Sequence, residues 1–107
     1  MKKYNKLVRD KIPEIIERDG KNANFRTLSD EEYINELKKK SYEELDEFCA
    51  AVTSKEAVEE LADLLEIIHA HVEVLGTSFD VVEQVRQRKA MDRGGFKNKI
   101  FLENVED

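Results

Sequence analysis

Two helix-starting signals and one glycine decide most of what this chain can fold into. Ser29, followed three residues later by Glu32, has the form of a capping box, in which a hydroxyl and a carboxylate satisfy each other's backbone N–H groups; Thr53 with Glu56 repeats it. Behind the first signal, Ile34, Leu37, Leu45, Phe48 and Val52 recur at helical spacing as far as Val52. Behind the second, Val58, Leu61, Leu64, Leu65, Ile68, Val72 and Leu75 form a stronger stripe that stops at Gly76. Almost no chain separates the two segments. Two long helices joined so tightly are expected to pack as antiparallel neighbours.

The rest of the chain reads as helical on either side of this pair. Asp10 is placed to cap a first helix whose opening turn holds Pro13 and which ends at Gly20, and residues 21–28 form a polar connection. Ser78 opens a fourth helix through Val81, Val82 and Val85, stopped by Gly94-Gly95, and the tail at 100–105 is expected as a short strand or an ordered arm. The expected fold is therefore all-α, a four-helix bundle built round a long antiparallel hairpin, in a single domain over residues 1–107. Leu, Ile, Val and Phe are 30 of the 107 residues, enough for a folded core but a thin one. Completion of that core by homo-oligomerisation, as a dimer or tetramer, follows as an expectation.

Charge narrows the partners. With 24 acidic against 18 basic side chains and a net charge of −6, the chain is a poor general binder of nucleic-acid polymers, whose affinity comes from Lys and Arg at phosphates. The single Cys49 permits no internal disulfide and, between Phe48 and Ala50, reads as a small core residue. No apolar run reaches the roughly 18 residues of a membrane span, and the first residues lack the apolar centre of a signal peptide. A cytoplasmic protein with no membrane partner is expected.

The acids are not spread evenly. Glu43-Glu44-Leu45-Asp46-Glu47-Phe48 is answered sixteen residues later by Glu59-Glu60-Leu61-Ala62-Asp63-Leu64. Positions three apart share a helix face, so Glu44 pairs with Glu47 and Glu60 with Asp63, each pair on the flank of the apolar stripe. Glu47 and Glu60 are equally far from the Thr53-Ser54 junction, as are Glu44 and Asp63, so an antiparallel hairpin sets them at equal heights. Two unit charges about 4 Å apart repel by about 4 kcal/mol at an effective dielectric near 20. Four carboxylates in one patch thus call for a cation, and an all-oxygen set suits Mg²⁺ or Mn²⁺. Acidic runs on helices are also ordinary solvated faces, and that reading stays open for each acid alone. Glu43 and Glu59 lie further round, toward solvent, with a supporting role in the site as the alternative.

A Mg²⁺ site often serves phosphates, which also need cationic side chains. Lys89 and Arg93 form an i,i+4 pair before Gly94-Gly95-Phe96; they serve either as such cations or as complements to a helix C-terminus. Lys6, Arg9 and Lys11 make a second basic cluster. His69 and His71 are two apart and diverge on a helix, and His71 falls on the apolar side as a satisfied core histidine. There is no Walker A sequence and no glycine-rich dinucleotide fingerprint.

At these residues the chain resembles the all-α nucleoside triphosphate pyrophosphohydrolase superfamily, the MazG-like and phosphoribosyl-ATP pyrophosphohydrolase-like proteins. The resemblance is carried by Glu43-Glu44-Leu45-Asp46-Glu47 with Glu60-Leu61-Ala62-Asp63, by the opening Tyr4-Asn5-Lys6-Leu7-Val8-Arg9-Asp10-Lys11-Ile12-Pro13, and by the closing Lys89 to Arg93-Gly94-Gly95-Phe96. It covers roughly residues 4–96. It implies a MazG-like bundle and Mg²⁺-dependent cleavage between the α and β phosphates of a nucleotide, releasing pyrophosphate and a monophosphate, plausible as removal of unwanted triphosphates. By the resemblance Glu44, Glu47, Glu60 and Asp63 are the catalytic metal ligands and Lys89 and Arg93 face the phosphates; Arg9, from the second basic cluster, is a further candidate for the phosphates, and Glu43 for a supporting place behind the ligands. Related members often have Asn two residues before the lysine of the fourth helix, where this chain has Gln87. Two alternatives accompany this expectation: a phosphoribosyl-ATP pyrophosphohydrolase of histidine biosynthesis, and a non-catalytic nucleotide- or metal-binding or helical interaction module.

Overall fold

In a computed structural model, which describes residues 2–106, the chain is built of four α-helices, with no strand among the described residues. They are α1 (Ile12–Arg18), α2 (Asp30–Ala50), α3 (Ser54–Val74) and α4 (Phe79–Arg93). The local signals explain most of the boundaries. Ser29 accepts from the Glu32 N–H at 3.3 Å while the Glu32 carboxylate accepts from the Ser29 N–H at 3.2 Å, a complete capping box. Thr53 accepts from the Glu56 N–H, but the Glu56 carboxylate reaches one residue further back, to the N–H of Val52. Ser78 caps α4. Gly76, at a φ of 74°, ends α3 in the left-handed conformation that a side chain disfavours, and the N–H of Thr77 returns to the carbonyl of Val72.

Two local expectations are corrected. Asp10 does not cap α1: the capping position falls on Lys11, with helical-region backbone and no side-chain cap, because a turn closed by the Ile12 N–H on the Arg9 carbonyl already leads into the helix. The tail at 100–105 is not a strand, and its Ile100, Phe101, Leu102 and Val105 are all well exposed.

Three residues, Ala51 to Thr53, link α2 to α3, and these two helices form the antiparallel hairpin that holds the fold together. The inner face of α2 runs through Leu37, Ser41, Glu44 and Phe48, spaced four, three and four apart as a helix face requires. Cys49 lies about 100° round from Phe48 and is exposed, not a core residue. At the centre of the seam, the Ser41 hydroxyl donates to the Leu37 carbonyl at 2.9 Å, so Nε2 of half-buried His71, 2.8 Å from Ser41 Oγ, is the donor in that pair. His71 is thus the satisfied histidine expected, while His69 stacks on Phe79 with ring centroids 4.1 Å apart.

The core of a single chain is small. Only Leu37 and Val72 are buried apolar residues among those described. A second apolar face of α3, through Val58, Leu61 and Leu65, is open, and so are Val81, Val82 and Val85 of α4. Of the other helices, α4 touches only α3 and α1 packs on neither hairpin helix, so one chain alone does not close into a bundle. The radius of gyration, 18.5 Å, exceeds the roughly 13 Å of a compact domain of this length. Among the described residues no helix is long and apolar enough to cross a membrane.

Candidate metal centre and adjoining cavity

The hairpin carries out the register that the symmetric spacing implies. Carboxylate oxygens of Glu44 and Glu47 on α2 and of Glu60 on α3 all lie within 4.8 Å of one another. Glu44 falls in line with Leu37, Ser41 and Phe48, so its carboxylate is carried into the seam and not only along its flank. One oxygen each of Glu44 and Glu60, Oε2 in both, is shut off from solvent with no hydrogen-bond partner. Buried polar atoms in folded proteins are almost always satisfied, so two orphaned oxygens within one carboxylate cluster are a demand for a proton or a cation.

Electrostatics say the same. Burial and then the charge of Glu47 push the Glu44 carboxyl above its ordinary value. Glu60 is pushed up to about 7, first by the close approach of the Glu47 carboxyl, which favours a proton held between the two, then by burial and by the charge of Glu47. Glu44 and Glu60 therefore hold their protons more strongly than free carboxyls do. A divalent cation relieves the same repulsion, and a set of carboxylate oxygens is the donor chemistry that hard cations take. The residues present therefore fit a hard divalent cation.

The fourth expected ligand stands apart from this trio. Asp63 Oδ1 accepts from Arg9 Nη2 at 2.8 Å, an exposed ion pair that ties the N-terminal segment to α3 across 54 residues of chain. Asp63 remains close enough for its charge to raise Glu44. Glu43 turns outward, with Oε2 3.9 Å from Lys40 Nζ. Lys89 and Arg93 sit exposed near the end of α4 and form no ion pair among the described residues. One chain therefore gathers three of the acids and brings in Arg9, through Asp63, but does not bring Lys89 or Arg93 to them.

Sequence reasoning missed the space next to the acids. A cavity of about 360 Å³ lies between the hairpin and the N-terminal segment, walled by Leu7, Val8, Arg9, Asp10 and Lys11 on one side and by Tyr33, Leu37, Ile67 and Ala70 on the other. Lys40, Glu44, Asp63 and Glu66 complete it. The basic cluster of Lys6, Arg9 and Lys11 was the available signal, but only tertiary structure shows that Arg9 reaches Asp63 and that Lys11 lines the same cavity.

No family model matches the chain, and no solved structure matches it. A curated protein of Mycolicibacterium smegmatis, described as an uncharacterised protein, is 49% identical to it over 53 residues. That stretch is 50% of this chain and 54% of the relative, so the chain spans about half the length of the curated relative it matches.

Proposed function

We propose that the chain is a small MazG-like nucleotide pyrophosphohydrolase that uses Mg²⁺ or Mn²⁺ to cleave the α–β phosphoanhydride of a nucleoside triphosphate. The observation that carries this reading is the trio Glu44, Glu47 and Glu60, converged within 4.8 Å with two oxygens orphaned. These three hold the cation, with Asp63 beside them as the further acid. When bound, the metal polarises phosphoryl oxygens and lowers the pKa of an attacking water, so no covalent nucleophile is required. Arg9, Lys89 and Arg93 supply the positive charge for the phosphates, and Glu43 borders the ligand set.

Lys89 and Arg93 reach the acids in an assembly of copies. The open apolar faces of α3 and α4 support such a homo-oligomer, a dimer or tetramer that completes the bundle one chain leaves unfinished. A second reading, a metal- or nucleotide-binding module without turnover, is favoured by the Arg9–Asp63 pair, which occupies one of the four acids.

Incubation with a panel of nucleoside triphosphates and phosphoribosyl-ATP in Mg²⁺ separates the two. Release of pyrophosphate with the matching monophosphate is expected. Absence of turnover on the whole panel, with Mn²⁺ binding established by electron paramagnetic resonance, defeats the enzymatic reading and leaves the module.

A further inference from the structure

We infer that the cavity beneath the N-terminal segment seats the base of the nucleotide, and that residues 7–11 form the wall that selects it. This rests on reading the three glutamates as the cation site that draws the phosphates.

Continuity is the first argument. Glu44 belongs to the acidic trio and to the cavity wall, and Asp63 stands on that wall too. A ligand whose phosphates are anchored at the acids has this space directly beside it. The volume, about 360 Å³, lies near the lower end of the roughly 300–1,000 Å³ spanned by small-ligand sites. It suits a nucleoside-sized group.

The lining offers both kinds of group a base site needs, apolar side chains for the ring faces and polar ones for the ring edges. Leu7 and Val8 from the segment oppose Leu37, Ile67 and Ala70 of the hairpin. Tyr33, Lys40, Asp10 and Glu66 stand among them. Burial, then the charges of Glu73 and Asp10, raise the Tyr33 phenol, so it keeps its proton and donates to a ring nitrogen or carbonyl. Asp10 and Glu66 accept from ring or exocyclic N–H groups, and Lys40 donates. Flat faces against apolar groups with edges read by hydrogen bonds are how proteins recognise single bases.

The segment is the selective wall because no helix sets its shape. Residues 7–10 precede α1 and are tied across the hairpin by the Arg9–Asp63 pair. Substitutions there alter the cavity without disturbing the seam between α2 and α3.

The test compares each of the four ribonucleoside monophosphates with ribose 5-phosphate, which carries the same phosphate on the same sugar without a base. Binding is followed by amide chemical shifts of the full chain in Mg²⁺. At least one monophosphate is expected to bind about tenfold or more tightly than ribose 5-phosphate, with shifts at Val8, Leu37, Ile67 and Ala70. Ala70→Phe puts a ring into the cavity and is expected to erase that preference. Val8→Trp, outside every helix, makes the same test if Ala70→Phe does not fold. Equal affinities with and without the base, no binding by any probe, or a preference that survives both substitutions overturns the inference. Failure of the cation reading shows separately, as wild-type protein that does not bind Mn²⁺, and the comparison is then run without metal.

Discussion

Replacing Glu47 by Gln should stabilise the metal-free protein and remove most of its response to Mg²⁺. The two effects have opposite sign and share one cause. Glu44 and Glu47 bring carboxylate oxygens within 4.8 Å, so their ionised forms repel by about 0.9 kcal/mol if screened as in water and about 3.5 kcal/mol at an effective dielectric of 20. The site is open to solvent on one side, which favours the lower end, about 1 kcal/mol. For a domain of this length that is about 4 °C in melting temperature. Glu47→Gln is isosteric and keeps a hydrogen-bonding oxygen, so relief of repulsion is the main change. With Mg²⁺ at about a hundred times its Kd, wild type gains about 2.7 kcal/mol, or about 11 °C, and the variant gains less than a third of that. Circular dichroism melts in EDTA and in Mg²⁺, at one fixed protein concentration, read both numbers. A variant that melts lower than wild type in EDTA, or keeps the full Mg²⁺ shift, refutes the argument that these carboxylates converge on a cation.

Three further outcomes follow from other parts of the molecule. Arg26, followed by Ser29, holds the Glu32 carboxyl at about 2 against an ordinary 4.5; the folded value is the lower one, so its contribution is complete above about pH 4.5 and is lost as pH falls toward 2. Glu32→Gln should therefore flatten the fall in melting temperature across that window, and identical slopes in the two proteins count against the box. Leu37 is 2% exposed at the seam, so Leu37→Ala should lower stability by about 2–5 kcal/mol, measured as a shift in the urea midpoint; a change under about 1 kcal/mol would mean the hairpin repacks around the gap. Leu65, 44% exposed on the open face of α3, should dissociate the proposed assembly when changed to Glu, as seen by light scattering; an unchanged mass removes that face from the proposed interface.

Legibility in the sequence followed the range of each interaction. The Ser29–Glu32 box and the glycine stop at Gly76 are decided within a few residues, and the boundaries of α2 and α3 followed from them. The meeting of Glu47 with Glu60 was also readable, because a three-residue link ties helix height to distance from the turn. Periodicity was less reliable about which face is inner. It counted Leu45 and Val52 as core, yet they are 45% and 89% exposed, while Ser41 and Glu44 occupy the seam. An apolar stripe records everything a residue is covered by, and this chain leaves apolar surface on more than one side. The Arg9–Asp63 pair and the cavity beside it were hidden for a different reason: nothing local in Leu7 to Lys11 states that the segment doubles back over α2 and α3.

The short link between α2 and α3 acts as a ruler for chemistry that none of its residues touches. Each helical residue advances about 1.5 Å along the axis and about 100° around it, so the acids of α2 and α3 meet only while their phase is held. A longer link would let α3 slide to reseat its apolar stripe, and a slip of one turn, about 5.4 Å, would carry Glu60 past Glu47. Insertions and deletions at residues 51–53 should accordingly be as damaging to metal binding as loss of an acid, while leaving two good helices in place. In a chain of this kind, the length of a loop is as much a part of the site as the carboxylates are.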